Sequence, residues 1–372
     1  MLNGNQELEL THRIALRYVE GIGNQLARKI IASQINLKDI FEGNAKEVSK
    51  LLGIEGIGRS TLVSFERSAR QAIEKALQVL DQCQKHDIEL AFFDESTYPP
   101  LLKHCDDAPY VLCYKGSIDW FNSPSVAIVG TRRPTPYGIS VTKELLEGLA
   151  SVEPVIVSGL AYGIDSVAHE EALNKGLYTV AVLAHGLDII YPAAHKRLAT
   201  KIIESGGALI SEFFPGEKPE KEHFPRRNRV IAGVSEATVV IESKEDGGAI
   251  ITAHFAFDYG REVFAVPGRV HDKTSRGCLK LIKDNIASVV IDAQTIIDSM
   301  GWTRRKQLKQ KTLFLTPEEQ AIYDLLRASN NPLSIEEISS ALEKPIPEVM
   351  NTLLMMEMKG LVKSMPGQRF SL

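Results

Sequence analysis

The stretch Phe224 to Ser235 reads FPRRNRVIAGVS. It sets Arg226, Arg227 and Arg229 beside Phe224, Pro225 and Asn228, at the start of an apolar helical run. Guanidinium groups make planar, multi-donor contacts to phosphate, and a helix N-terminus adds unpaired N–H groups and the positive end of the helix dipole. An exposed aromatic ring beside them offers a stacking face for a nucleobase. The chain carries 43 Lys and Arg against 47 Asp and Glu, a formal net charge of −4, so this cationic cluster is local. That balance argues against general coating of nucleic acid; any polyanion site must be a patch. The other reading of the cluster is a surface group of arginines paired with carboxylates.

Four further stretches place glycines or cations directly after short apolar runs. The first is Gly130-Thr131-Arg132-Arg133, continuing to Gly138. It is neither GxGxxG nor GxxxxGK[ST], so it carries neither the dinucleotide fingerprint nor a Walker loop. Its two arginines point to a larger anionic ligand. The second runs from Ser158 and Gly159 to Asp165, where Asp165 is expected to cap the following helix. The third holds His185, Asp188 and His195, residue types suited to acid–base work. No nucleophile or metal partner stands at a recognisable spacing from them, so no catalytic residue and no metal site is assigned. The fourth is Lys244 to Gly248, where Gly247 and Gly248 precede a helix and expose backbone donors, or simply make a turn. Between the third and fourth, a long loop from Phe214 to Arg227 contains Lys221 and delivers Phe224. Loops of that length in a compact sheet are usually functional or disordered.

The elements that position these loops are legible as an alternation. SVAIVG, PVIVSG, YTVAVLAHG, ALISEF, ATVVIES, EVFAVPG and ASVVID are short, apolar and rich in β-branched residues, with helical stretches between them. This pattern predicts an α/β fold with a doubly wound, mostly parallel Rossmann-like sheet over residues 91–302, covered on both faces. Ligands of such sheets bind at the carboxyl ends of the strands, where these loops lie. Residues 1–90 read as a helical domain. Val19-Glu20-Gly21-Ile22-Gly23 and Ile54-Glu55-Gly56-Ile57-Gly58 repeat one pattern that resembles the helix-hairpin-helix signature, or marks two plain helix–helix turns. Tyr98-Pro99-Pro100 and Asp106-Asp107-Ala108-Pro109 suggest a linker. A basic stretch, Arg304 to Lys311, precedes a tail over 312–372. There Thr316-Pro317-Glu318-Glu319 and Ser334-Ile335-Glu336-Glu337 look like capping boxes, and a turn at Met365-Pro366-Gly367-Gln368 closes a hairpin. Three helices and a hairpin resemble a winged helix. Its third helix is acidic and rich in Met, which favours protein contact over DNA reading.

No apolar run is long enough for a membrane span, and the N-terminus lacks the basic start and apolar core of a signal peptide. Cys83, Cys105, Cys113 and Cys278 form no CxxC and no disulfide framework. A cytoplasmic protein without a cofactor and without a membrane partner is expected.

VAIVGTRRPTPYG, SGLAYGIDSVAH, GLDIIYP, SEFFPGEKPEKEHFPRRNRVIAG and GAIITAHFAFDYGREVFAVPG, in this order, resemble the DNA-processing protein A family (DprA, also called Smf) from about Asp94 to Asp292. The resemblance implies a non-enzymatic recombination mediator that binds single-stranded DNA and helps load the RecA recombinase onto it, notably in natural transformation. It also implies a homodimer formed through the sheet domain. The family's DNA-contacting arginine of the first loop falls on Arg132, its long-loop lysine and aromatic on Lys221 and Phe224, and its RNR arginines on Arg227 and Arg229. The expected DNA-binding set is Gly130, Thr131, Arg132, Arg133, Ser158, Gly159, Lys221, Phe224, Arg226, Arg227, Asn228, Arg229, Gly247 and Gly248. This chain departs from the family pattern at His185, His195 and Gly248-Ala249. The alternative is a nucleotide-processing enzyme of the phosphoribohydrolase type, which carries PGGxGTxxE. The nearest segment here, Asp246 to His254, has no such Glu.

Overall fold

Buried β-branched and aliphatic residues at every position of the central strands dictate a sheet covered on both faces. The computed structural model describes residues 4–117, 120, 123–303, 317–328, 332–342, 344–358, 362–365 and 369–371. The chain falls into two compact units, Met1–Arg305 and Lys306–Leu372. The first opens with helices α1 (Gly4–Ala15), α2 (Asn24–Ala32), α3 (Leu37–Phe41), α4 (Ala45–Lys50) and α5 (Arg59–Lys85), then β1 (Glu89–Phe92), α6 (Pro100–Lys103) and β2 (Val111–Gly116). Alternation follows: β3 (Ser125–Val129), α7 (Pro136–Leu149), β4 (Val155–Ser158), α8 (Ile164–Asn174), β5 (Thr179–Leu183), α9 (Lys196–Glu204), β6 (Ala208–Ser211), α10 (His223–Gly233), β7 (Ala237–Val240), α11 (Gly248–Asp258), β8 (Glu262–Ala265), α12 (Arg276–Lys283), β9 (Ser288–Val289) and α13 (Ala293–Met300).

The sheet order is β1-β2-β6-β5-β4-β3-β7-β8-β9. Strands β3 to β9 are parallel, and they are the seven strands expected from the sequence. The chain winds outward from β3 through β4, β5 and β6, then returns to lay β7, β8 and β9 on the other side. The winding therefore reverses between β3 and β7, where doubly wound folds place their ligands.

Period-two alternation sorts the side chains. Val126, Ile128, Ile156, Val239 and Phe264 pack under α7, α8 and α13, whereas Ala127, Val129, Val157, Val182 and Ala265 face α10, α11 and α12. On the first of these faces, over the β5–β6–β2–β1 half, α9 and the N-terminal helices supply the cover. Phe65, Ala76, Val79 and Cys83 share one core with Phe92, Tyr110, Cys113, Leu183 and Leu209. Arg13 of α1 adds a polar tie: it lies over the Phe92 ring and pairs with Asp94 and Glu95.

Residues 89–116 are not the linker suggested by their turn residues. β1 and β2 pair with each other, and β2 with β6, all antiparallel, so they extend the sheet. Tyr98, Leu102, Ala108 and Tyr110 between them are buried, and the Tyr98 hydroxyl donates to the carbonyl of Pro109 at 2.5 Å. The prolines and aspartates turn the chain at the sheet rim; they do not loosen it.

The two glycine hairpins share one geometry. Gly21 and Gly56 have φ of +85° and +93°, and Gly23 and Gly58 are extended N-caps of α2 and α5. The Ile22 and Ile57 amides close matching turns onto the carbonyls of Val19 and Ile54.

The second unit holds α14 (Pro317–Ala328), β10 (Leu333–Ser334), α15 (Ile335–Leu342), α16 (Ile346–Met358), β11 (Lys363–Met365) and β12 (Arg369–Ser371), with strand order β10-β12-β11. This is a winged helix around Ile322, Ile338, Leu353 and Phe370. The capping box at Ser334 is reciprocal: the Glu337 amide donates to Ser334 Oγ at 3.3 Å and the Ser334 amide to Glu337 Oε2 at 2.7 Å. Residues 304–311, Thr316 and the turn residues 366–368 lie outside the described residues.

One buried group makes stability depend on pH. His169 of α8 is fully buried, and its Nδ1 donates to Thr179 Oγ1 at 2.7 Å, because that hydroxyl already donates to the carbonyl of Ile156. Its Nε2 has no partner among the described residues. Burial pushes its pKa down to about 3, helped by the nearby His195 and Arg227. The folded state keeps His169 neutral while the unfolded chain takes up a proton below about pH 6.5, so stability is lost as the pH falls. At about 1.4 kcal/mol per pH unit, acidification from pH 7 to pH 5 should remove roughly 2 kcal/mol through this residue. Urea unfolding at both pH values should show a smaller loss in His169→Leu than in the wild type; equal losses would refute the assignment.

Candidate nucleic-acid interface

The loop after β3 is pinned by a carboxylate from the neighbouring strand's end. Glu242, buried just past β7, accepts from the Thr135 amide at 2.9 Å and the Thr135 hydroxyl at 2.6 Å. Thr135 in turn caps α7 by accepting from the Gly138 amide. The Thr131 amide donates to the Glu242 carbonyl at 2.7 Å, and the Arg133 amide to Thr131 Oγ1. The backbone is thereby fixed, and Arg132 and Arg133 stand exposed at the rim.

The second loop packs against an arginine. Gly159 lies so close to the Arg227 guanidinium that a Cβ there would fall 2.6 Å from it. Arg227 Nη1 donates to the carbonyls of Gly159 at 2.6 Å and Val182 at 2.5 Å, and Nε to Asn228 Oδ1. Asp165 does not cap α8, whose N-cap is Gly163. Lying inside the first turn, its buried carboxylate reaches back to the amides of Gly159 (3.2 Å) and Ala161 (3.3 Å). Burial pushes the Asp165 carboxyl up, against the pull of Arg227 and these amides. Burial likewise brings the Arg227 guanidinium down to about 10, with Asp165 opposing the change and the like charge of Arg132 adding to it.

Helix α10 divides its own residues between two sides. With 3.6 residues per turn, Phe224, Arg227, Asn228 and Ile231 share one face. That face borders a cleft of about 520 Å³ over the β3/β7 reversal. Arg226 and Arg229 fall on another face, where both pair with the buried Glu212, and Arg226 lies over the Phe213 ring. Arg229 also donates to the carbonyl of Asp107. The Arg132 guanidinium sits 5.3 Å from the Phe224 ring centroid across the cleft. Opposite, Gly247 N-caps α11 with no side-chain cap bond, and Asn228 Nδ2 holds the Gly248 carbonyl at 3.1 Å.

The cleft thus brings together Gly130, Thr131, Arg132, Arg133, Phe224, Arg227, Asn228, Gly247 and Gly248. It does not include Ser158, whose buried hydroxyl donates to the carbonyl of Ile128, nor Gly159, Arg226 or Arg229. Lys221 is exposed on the loop ahead of α10. Lys244, which opens the fourth loop but was not in the expected binding set, and Thr274, which was not singled out, also line the cleft. Thr274 belongs to the loop after β8, and the rule that ligands meet the strand ends would have directed attention there too.

His185 and His195 serve the scaffold. His185 Nδ1 faces the carbonyl of Gly186 at 2.9 Å, and its Nε2 accepts from the Tyr191 amide at 3.2 Å. His195 Nδ1 faces the carbonyl of Leu160 at 2.8 Å. Asp188 accepts from the Gly216 amide. Among the described residues no group of three or more His, Cys, Asp or Glu side chains is placed to hold a metal ion.

The family model for DNA recombination-mediator protein A matches residues 89–301. The chain belongs to that family. The DprA winged helix domain matches residues 307–368. Protein Smf of Escherichia coli is 35% identical over 304 residues, covering 80% of this chain and 80% of that protein. DNA processing protein DprA of Streptococcus pneumoniae is 43% identical over 203 residues, 55% of this chain and 71% of that one. Among solved structures, DprA from Streptococcus pneumoniae superimposes with a TM-score of 0.64 at 33% identity, covering 77% of this chain and 97% of that one. A structure of DprA from Helicobacter pylori, described for its single-stranded DNA binding mode, has a TM-score of 0.51 at 30% identity and covers 57% and 95%. DNA processing and recombination mediation are therefore the functional class of this DprA-family chain. No helix among the described residues is long and apolar enough to cross a membrane.

Proposed function

We propose that the chain binds single-stranded DNA in the cleft above the β3/β7 reversal and acts as a recombination mediator without catalysing a reaction on the strand. One juxtaposition carries the reading: exposed Arg132 and Arg133 face the Phe224 ring and the uncapped first turn of α11 across one open cleft. Cations and helix-end amides meet phosphate, and the ring meets a base of any sequence. The Helicobacter pylori relative, described as binding single-stranded DNA, supports it. The non-catalytic part is supported by the missing Glu in Asp246–His254 and by the backbone partners of His185 and His195. Family membership supports a cytoplasmic homodimer paired through the sheet domain, hand-over of the strand to the RecA recombinase, and a role in natural transformation. The three-part division at residues 1–90, 91–302 and 312–372 belongs to the same reading.

Fluorescence anisotropy with single- and double-stranded oligonucleotides over a salt series tests the cleft. Single strands should bind more tightly, with little sequence bias. If about four phosphates are neutralised, log K should fall against log[salt] with a slope near −3, from about −0.7 per contact on single strands. Binding indifferent to salt, or a clear duplex preference, would overturn the reading.

A further inference from the structure

We propose that the bound strand continues from the arginine cleft across the sheet edge onto Tyr162 and Tyr191, whose rings stack on its bases. This rests on the single-strand reading above and extends it to two residues outside the cleft. Phe224 stands between two cavities: the cleft, and on its other side a narrow slot of about 20 Å³ bordered by Tyr162, His185 and Tyr191. Arg132, Ala161, Phe224 and Arg227 border both, so the two adjoin at the Phe224 ring.

Both tyrosines are presented rather than packed away. Tyr162 is 50% exposed and Tyr191 47% exposed. The hydroxyls of Tyr98, Tyr110, Tyr114, Tyr137 and Tyr259 bond within the protein, whereas those of Tyr162 and Tyr191 find no protein partner among the described residues. Each ring is nevertheless braced by one aromatic neighbour. Tyr162 meets His195 edge-on at 4.9 Å, and His195 is itself held by the carbonyl of Leu160. Tyr191 lies 6.1 Å from Phe224, and its amide is fixed on His185. Half-exposed rings on a fixed backbone are what sequence-tolerant base stacking requires.

The topology gives the path a direction and a length. Tyr191 follows β5, Tyr162 follows β4, Arg132 and Arg133 follow β3, and Lys244 follows β7, in the order in which those strands lie in the sheet. Three gaps of about 4.8 Å span roughly 14 Å. At about 3.4 Å per stacked nucleotide, that is close to four nucleotides. Along this path the β3/β7 end supplies cations to the phosphates of its nucleotides, and the β4/β5 end supplies rings to the bases of the others.

The test uses the full chain, a fluorescent oligothymidylate of 20 nucleotides, and melting temperatures of each variant. Tyr162→Ala and Tyr191→Ala should each weaken binding about fivefold to a hundredfold without lowering the melting temperature, while Tyr162→Phe and Tyr191→Phe stay near wild type, because stacking uses the ring and not the hydroxyl. Unchanged affinity in both alanine variants, with Arg132→Ala weakened, overturns the tyrosine path and leaves the cleft standing. Loss in the Phe variants equal to that in the Ala variants overturns stacking. A wild-type chain that binds no single strand overturns the cleft reading itself. Should an alanine variant also melt early, photocrosslinking of wild type to a strand carrying 5-iodouracil decides: adducts at Tyr162 or Tyr191 support the path, and adducts only elsewhere overturn it.

Discussion

Asp165→Ala is expected to cost about 3–5 kcal/mol of stability, the usual price of leaving a buried charge without its counter-charge. Two losses coincide. Arg227 is buried, and the negative charge of Asp165 opposes the loss of its proton. The amides of Gly159 and Ala161 lose their acceptor as well. Both changes strike the loop after β4, which lines the cleft, so the folded fraction should also bind DNA less tightly. Urea unfolding at pH 7 measures the first effect. A loss below about 1 kcal/mol would show that Arg227 is held by the carbonyls of Gly159 and Val182 alone. Asp165→Asn separates the terms, since it keeps an acceptor for the amides and removes only the charge; it should recover part of the loss, not all.

Arg132→Ala is expected to weaken single-strand binding between about tenfold and a hundredfold, since a hydrogen bond to a charged group is worth about 1.5–3 kcal/mol. Stability should not fall. Its ring contact with Phe224 is at the solvent-facing rim, and its charge works against that of the buried Arg227. The carboxylate-paired arginines of α10 are Arg226 and Arg229, both on Glu212. Affinity and melting temperature measured on one purified variant separate a ligand contact from a structural prop. Unchanged affinity with a lowered melting temperature would make Arg132 a structural residue.

The seven parallel strands were legible because burial on both faces leaves an apolar run in the central ones, β3 to β7, and β8 and β9 carry the same pattern of short β-branched runs. β1 and β2 were not, because ELAF and VLCYKG stand among prolines and aspartates that read as punctuation. The loops at the strand ends were legible by the same topology, which is why most of the cleft lining was anticipated. The α10 arginines mark where reading stopped. As neighbours in sequence they form one cationic cluster; on a helix they separate by about 100° per residue, and Arg227 turns toward the cleft while Arg226 and Arg229 turn to Glu212. Glu212 lies more than a dozen residues away on the preceding loop, so no local pattern announces it. Asp165 failed for a similar reason: a short acidic side chain near a helix start serves as a cap or as a brace for the preceding loop, and only the backbone path decides.

Cutting the chain after residue 88 would strip α1 to α5 from the sheet and take away the part of the cover over Phe92, Tyr110 and Cys113 that α9 does not supply. The helical segment would fare no better, since Phe65, Val79 and Cys83 belong to that same interior. The helices of residues 4–85 and this half of the sheet share one interior inside the compact unit Met1–Arg305. A homologue that dispenses with the helical segment must repaint this half of the sheet with polar side chains or cover it by other means. The glycine hairpins, anchored through that interior, ride as fixed fittings on the same chassis as the arginine rim.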